Sequence, residues 1–393
     1  MQTAFVPTSA PAVARPAPAR LLSLDALRGF DMFWIMSGEH IVHTLANATG
    51  WAPAVWLSGQ LHHVEWNGCV FYDMIFPLFL FIAGVSMPYS MQGKLSRAGV
   101  SRPDELAFAD KRSIYRTMLR RTLILLALGM IVNGALQLKG YHETRFASVL
   151  GRIGLAWFFA GLIYLNADLK KQVLWLLALL LGYWAALMLV PVPGFGPGVL
   201  TPEGSLTSYV DRLLLPGRLH RVVFDPEGLL STLPAIGTAL LGVFTGTFLK
   251  TASRRYSGTQ QTLLLAGAGV VLIGLGLLWG EVFPISKRLW TSSFVLYAGG
   301  WSLLFLAVFY YLIDVRGWQR WAFPFVLIGT NSILIYLAAE GAVDFAHTAD
   351  YLLGGLIHLA PPDWQPVGLA LGVTSLQLLL LYGLYRRAIF LKV

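Results

Sequence analysis

Ten times over, the chain repeats an apolar run long enough to cross a lipid bilayer. A membrane-spanning helix needs about 20 predominantly apolar residues. Runs at roughly 22–46, 67–92, 117–138, 149–167, 172–192, 229–249, 262–283, 291–313, 322–345 and 367–385 meet that length. Backbone amides inside a bilayer must be satisfied within the segment, so such runs fold as helices. Composition agrees: 56% of residues are hydrophobic and 12% charged, against about 25% charged in soluble domains. The expected fold is all-α, a polytopic membrane helix bundle of about ten transmembrane helices. It forms one domain over 21–393, with no room for a separate soluble domain. The segment Met1–Arg20 is rich in Ala and Pro and lacks the apolar core of a signal peptide, so it reads as a disordered cytoplasmic leader.

Charge orients the bundle. With the N-terminus inside, the inner segments 1–21, 93–121, 168–171, 250–261, 314–321 and 386–393 hold twenty of the twenty-nine Lys and Arg. The outer loops hold seven: Lys139, Arg145, Arg212, Arg218, Arg221, Lys287 and Arg288. Arg28 and Arg152 fall within helices. The positive-inside rule then places both termini in the cytoplasm. The net charge of +9 is thereby explained by topology, and no nucleic-acid partner is implied. A single cysteine, Cys69, excludes a disulfide framework and a cysteine metal cluster. Trp51, Trp56 and Trp66 flank the first outer loop as an interfacial aromatic belt would. The long outer loop 193–228 begins near PVPGFGPG, which cannot start a helix. Its later part, SLTSYVDRLLLPGRL, suits a short amphipathic helix on the outer surface. No internal repeat is visible, which weighs against an inverted-repeat transporter plan.

Ionisable groups within a span are costly and by default mark function. The first helix carries Asp25, Arg28, Asp31, Glu39, His40 and His43. Asp25 and Arg28, three apart, share a helix face, as do Glu39 and His43, four apart. Taken singly, each also has an ordinary reading, as a structural ion pair or an interfacial group; together they resemble a lined path. A second cluster, LHHVEWNGCVFYDMIFP, places His62, His63, Glu65, Trp66 and Asn67 at the mouth of the second helix, with Asp73 deeper. An imidazole can take and return a proton near neutrality, and a carboxylate can orient it. Two histidines in an outer loop can equally be plain interfacial residues.

RLLSLDALRGFDMF followed by HVEWNGCVFYDMIFPLFLFIAGVSM resembles the transmembrane acetyltransferase family of lysosomal heparan-α-glucosaminide N-acetyltransferase, and more closely its bacterial NagX-type relatives. The resemblance continues through RFASVLGRIGLAW, SYVDRLLLPGRLHRVVFDPEGLLSTLPAIGTALLGVFTG, FPISKRLWTSSFVL and GTNSILIYLAAE. It implies a bacterial inner-membrane, multi-pass enzyme that takes acetyl from cytosolic acetyl-CoA as co-substrate, with no metal. The acceptor it implies is an amino sugar of the glucosamine type on the far side. By the same resemblance His63 is the catalytic histidine, Asp73 matches the aspartate before F-P, and Arg28 matches the arginine of D-x-x-R-G. Glu39 departs from the family, standing where the lysosomal enzyme has an asparagine. The analogy also implies a homodimer.

On this reading His63 acts as base or as transient acetyl carrier, supported by Glu39, Asp73 and Asn67. Asp25, Arg28, Arg120, Arg121, Arg152 and Arg386, with Arg387, are candidates for the nucleotide end of CoA, whose phosphates suit arginine. Arg152 is equally placed to pair with a cavity carboxylate. His40, Asp211, Asp225, Glu227 and Glu340 are candidates for the acceptor, although D-P-E-G also suits a plain helix start. Cys69 is expected to behave as a small apolar residue and not as an acyl carrier. Asn331 is expected to serve helix–helix hydrogen bonding. The rival function is a secondary transporter for amino sugars or muropeptide fragments, with Asp25, Asp31, Asp73 and Glu340 as proton relays; a structural envelope protein is the third reading.

Overall fold

The computed structural model describes residues 21–138, 140–253 and 255–391; the Met1–Arg20 leader lies outside them. In chain order the α-helices are α1 Leu22–Phe33, α2 Glu39–Thr49, α3 Ala52–Gln60, α4 Phe71–Ala98, α5 Phe108–Val132, α6 Val149–Asn166, α7 Leu169–Leu189, α8 Leu206–Leu214, α9 Thr232–Ala252 and α10 Gly258–Gly280. They continue with α11 Ser292–Phe309, α12 Phe323–Thr330, α13 Ser332–Leu337, α14 Phe345–Ile357 and α15 Gln365–Arg386. Among the described residues there is no β-strand, only isolated bridges between loops. The fold is an all-α polytopic helix bundle.

Among the described residues seven helices are long and apolar enough to cross a membrane: α4, α6, α7, α9, α10, α11 with its π-helical continuation to Val315, and α15. An eighth span is the pair α12–α13 if taken as one, bent by 67° at Asn331. The remaining two expected spans are helical but charged. Leu22–Thr49 runs through α1, a π turn at Trp34–Gly38 and α2, and carries Asp25, Arg28, Asp31 and Glu39. α5 carries Arg116, Arg120 and Arg121 just before its apolar run from Thr122 to Val132, which alone is too short for a span.

Burial sorts the spans into layers. α9 and α4 form the centre, with 78% and 67% of their apolar windows buried, whereas α10 is 17% buried and turns leucines and valines outward. A helix that is apolar all round and yet exposed is one that faces lipid. Without a hydrophobic drive between helices in lipid, close packing relies on small residues. At the α4–α9 contact a Cβ on Gly84 would stand 2.2 Å from the Ala239 carbonyl oxygen, and one on Gly242 2.1 Å from that of Phe81. α1 and α12 touch in the same way: a Cβ on Gly329 would lie 1.9 Å from the Asp25 carbonyl oxygen. That contact fixes Asp25 and Arg28 beside the break at Asn331. The free amides at the start of α1 are capped from a distance, Leu22 N and Ser23 N donating to the Asp314 carboxylate at 3.2 and 3.3 Å.

Two short helices, α3 and α14, were not expected as separate elements, because neither has the length of a span. The amphipathic helix anticipated in the long loop is α8, over Leu206–Leu214.

Candidate active site

Asp73 occupies the first turn of α4. Its Oδ2 accepts from Val70 N at 3.3 Å, the role an acidic residue plays at that position of a helix start. Its Oδ1 accepts from His63 Nδ1 at 2.7 Å. A ring whose Nδ1–H is held by a carboxylate presents the lone pair of Nε2 outward. The imidazole lies against the Tyr72 ring, centroids 4.8 Å apart. The loop 61–70 that carries His63 is tied down from three sides. Gly68 N donates to Ile285 O at 2.8 Å, Ser286 Oγ to Trp66 O at 2.6 Å, and Trp66 Nε1 to Leu200 O at 2.5 Å.

The pairing with residues 285 and 286 delivers Lys287. Its Nζ stands 3.3 and 3.4 Å from the two ring nitrogens of His63 and 3.6 Å from Asp73 Oδ1. Burial lowers the proton affinity of this ammonium, partly offset by the charges of Asp73 and Glu227. Neighbouring Cys69 is driven by burial to a pKa of about 12, so its thiol is no nucleophile near neutrality.

His63, Tyr72 and Lys287 line a cavity of about 420 Å³, together with Arg145, Glu227, Trp290, Tyr336 and Glu340. Arg145 closes one wall as a buried clamp. It donates to Asp225 at 2.6 and 2.8 Å and also to Glu227. Burial opposes the charge on Arg145, but the two carboxylates override it and raise its pKa. Burial likewise opposes the charge on Asp225, and Arg145 overrides it, holding that carboxyl below its usual range. Asp225 also accepts from His220 N and Glu227 N. The structure thus gives Asp225 to the loop scaffold and Glu227 to the cavity wall. Asp211 belongs to the scaffold too: it is wholly buried and accepts from Leu229 N at 2.8 Å.

Glu340 lines this cavity and two neighbours, one of about 480 Å³ shared with Arg145, His220 and Tyr336, and one of about 620 Å³ that includes His40. Glu39 stands 3.6 Å from His43 and is an electrostatic neighbour of Tyr72 and Glu340, bordering the cavity without lining it. Asn67 is exposed on the His63 loop and lies outside the lining. Arg152, 2% exposed, donates to Gly228 O and Ser231 Oγ and lies over the Trp290 ring. It is therefore grouped with the His63 end and not with Arg28.

At the other end of α4 a cavity of about 400 Å³ is lined by Arg28, Arg121, Ser86, Ser90, Trp157 and Thr330, with Phe390 and Leu391 of the C-terminal segment. Arg28 pairs with Asp25 at 3.4 Å and donates to Ser86 Oγ at 3.1 Å. Arg121 stacks on Trp157 at 4.5 Å, and its buried Nε–H has no hydrogen-bond partner among the described residues. Arg120 and Arg386 are exposed and outside this lining; Arg386 lies over Tyr382. Asn331 anchors the C-terminal segment, donating to Ile389 O and accepting from Leu391 N, both at 2.9 Å. This is a helix-to-tail bond in place of the expected helix-to-helix one.

The two end cavities have no lining residue in common but are lined by the same elements. Tyr72 and Phe76 line the first, and Phe79, Ala83, Ser86 and Ser90 the second. Steps of three and four put all six on one face of α4, over about 27 Å from Tyr72 to Ser90. α6 contributes Val149 to one and Leu150, Ile153 and Trp157 to the other; the α13 region contributes Tyr336 and Glu340, then Ser332 and Ile333.

Sequence reading missed Lys287 and Arg145 as site residues and took both for loop charges. The available signal was their setting in FPISKRLW and RFASVLGR, short segments dense in apolar residues.

The family described as heparan-alpha-glucosaminide N-acetyltransferase, catalytic, has a model that matches residues 20–279. Human heparan-alpha-glucosaminide N-acetyltransferase is 29% identical to this chain, over 96% of the chain and 60% of the human protein. The mouse protein of the same name is 27% identical, over 98% and 62%. The chain thus spans about three-fifths of the length of these curated relatives.

Proposed function

Because the chain belongs to the heparan-α-glucosaminide N-acetyltransferase catalytic family, we propose that it is a membrane-embedded acetyltransferase that moves the acetyl group of acetyl-CoA to the amine of a glucosamine-type sugar. The observation that carries this reading is the single face of α4 that runs from the His63 cavity to the Arg28 cavity. Its length of about 27 Å is close to the hydrocarbon thickness of about 30 Å. Ten spans with both termini in the cytoplasm, the orientation favoured by basic residues, put His63 on the periplasmic side of a bacterial inner membrane and Arg28 on the cytosolic side.

The nucleotide end of CoA stays at the cytosolic face, where Arg28 and the Nε–H of Arg121, unpartnered among the described residues, suit its phosphates. The pantetheine arm follows the α4 face past Phe79 and Phe76 and brings the thioester to His63. The acceptor is held near Glu340 and Glu39, where its ammonium first gives one proton to solvent and becomes the nucleophilic amine. His63 Nε2 takes the amine proton as nitrogen attacks the thioester carbonyl. A C–N bond forms, the C–S bond breaks, and the CoA thiolate recovers a proton from His63. Asp73 holds the ring in the productive tautomer, and the Lys287 ammonium stabilises the developing oxyanion. Prior transfer of acetyl to His63 Nε2 uses the same groups. That Asp73 is bound to His63 and Val70 N suits catalysis better than the proton relay a transporter would need.

The test is to mix purified protein with acetyl-CoA and glucosamine. Acetylated sugar from the wild type and none from His63→Ala is expected. Uptake of amino sugar without acetylation overturns the reading in favour of transport.

A further inference from the structure

The cavity of about 620 Å³ beside the site is the most apolar of the three. It opens between α2, the π turn after α13, α14 and the first half of α15. Pro366, Leu369, Val373 and Gln377 descend one face of α15 along it, a depth of about 17 Å. The helices on either side face lipid: Leu352 and Leu356 of α14 and Leu371 and Leu379 of α15 are exposed. The polar groups at its floor are bonded to one another, Ser37 Oγ donating to Gln377 Oε1 and Gln377 Nε2 to Met36 O, so they ask for no polar occupant. At one end Ile35 and Glu340 line this cavity and the His63 cavity alike, and the helix is broken there at Gly341, φ 150°.

A mainly apolar chamber between lipid-facing helices, lined also by His40, Thr44 and Asp344 and ending on a carboxylate of the acceptor cavity, is shaped for an amphiphile. We propose that the acceptor is an amino sugar joined to an alkyl or isoprenoid chain. The sugar amine sits at Glu340 facing His63, and the chain lies along α15 beside Ala370 and Val373. This rests on the acetyltransferase reading and names its substrate class. A free sugar fills only the His63 cavity, whereas each methylene moved out of water strengthens binding by about fourfold.

The experiment compares octyl glucosaminide with methyl glucosaminide as acceptors for the full-length protein in nanodiscs with acetyl-CoA. The octyl compound is expected to show kcat/KM at least about tenfold higher. Ala370→Trp and Val373→Trp, which fill the chamber, are expected to remove that advantage while leaving the methyl compound within about twofold of wild type; retained methyl activity reports that the variants are folded. Equal kcat/KM for the two acceptors overturns the inference alone, as does an octyl advantage that survives both substitutions and so reflects partition into lipid. Failure to acetylate either compound overturns the acetyltransferase reading and the inference with it.

Discussion

Lys287 Nζ lies 3.4 Å from His63 Nε2, across 224 residues of sequence, and 3.6 Å from Asp73 Oδ1. A cation at that distance favours negative charge developing beside it. Lys287→Met is expected to lower kcat/KM by about 10²–10³, the range for loss of one oxyanion donor, with the loss in kcat. Lys287→Arg is expected to keep most of the activity. An unchanged kcat in Lys287→Met contradicts an electrostatic role for this lysine.

Arg120 and Arg121 are adjacent in sequence and differ in placement. Only Arg121 lines the Arg28 cavity, with a buried Nε–H lacking a partner among the described residues. A charge-assisted hydrogen bond contributes about 1.5–3 kcal/mol, so Arg121→Met is expected to weaken CoA binding by roughly 10- to 150-fold and to flatten its salt dependence. Arg120→Met and Arg386→Met are expected to leave the affinity unchanged. Titration calorimetry of CoA against each variant checks this, and equal losses for all three would remove Arg121 from the site.

Burial raises the Asp211 carboxyl from its ordinary 3.8 to about 7. The folded state therefore holds this proton more tightly than the unfolded chain does. The stability it contributes is full below the ordinary value and is lost as pH rises through 7. Linkage over about three units bounds the effect at ~4 kcal/mol. Asp211→Asn, which still accepts from Leu229 N, is expected to melt nearest to wild type below the ordinary carboxyl value and to gain on it progressively up to pH 8. A wild type that gains on the variant with rising pH contradicts the assignment.

The Arg145 clamp behaves oppositely. Asp225 is held below its usual range, so its contribution is present above the unfolded value and is lost as pH falls. Arg145→Met strands two carboxylates, one of them fully buried, and is expected to cost about 3–5 kcal/mol. The loss should exceed that of Asp225→Asn in thermal melts at pH 7 and shrink below pH 4.

What sequence made legible was local. His63 and Asp73 stand ten residues apart on one motif, and a carboxylate in the first turn of a helix can reach back to the preceding loop, so their partnership could be read. The charge pattern and apolar runs carried the helical architecture. Lys287 could not be read, because it is delivered by the Gly68–Ile285 backbone pairing, which depends on two loops meeting across the bundle. Asp211 and Asp225 have the residue type of substrate ligands, and only burial assigns them to the scaffold. The break at Asn331 and the π turn at Trp34–Gly38 shift side chains by a fraction of a helical turn within apolar sequence, where periodicity is nearly silent. α14 is a 13-residue apolar helix, too short to announce itself beside a span.

Delivery of acetyl across the bilayer is tested most directly in sealed proteoliposomes with acetyl-CoA confined to the Arg28 side and glucosamine to the His63 side. Orientation is scored beforehand by impermeant labelling of a cysteine placed in the 61–70 loop. Labelled acetyl should appear on the sugar while CoA stays in its own compartment, and His63→Ala should abolish the transfer. Product formed only when both reactants share one compartment would contradict the account.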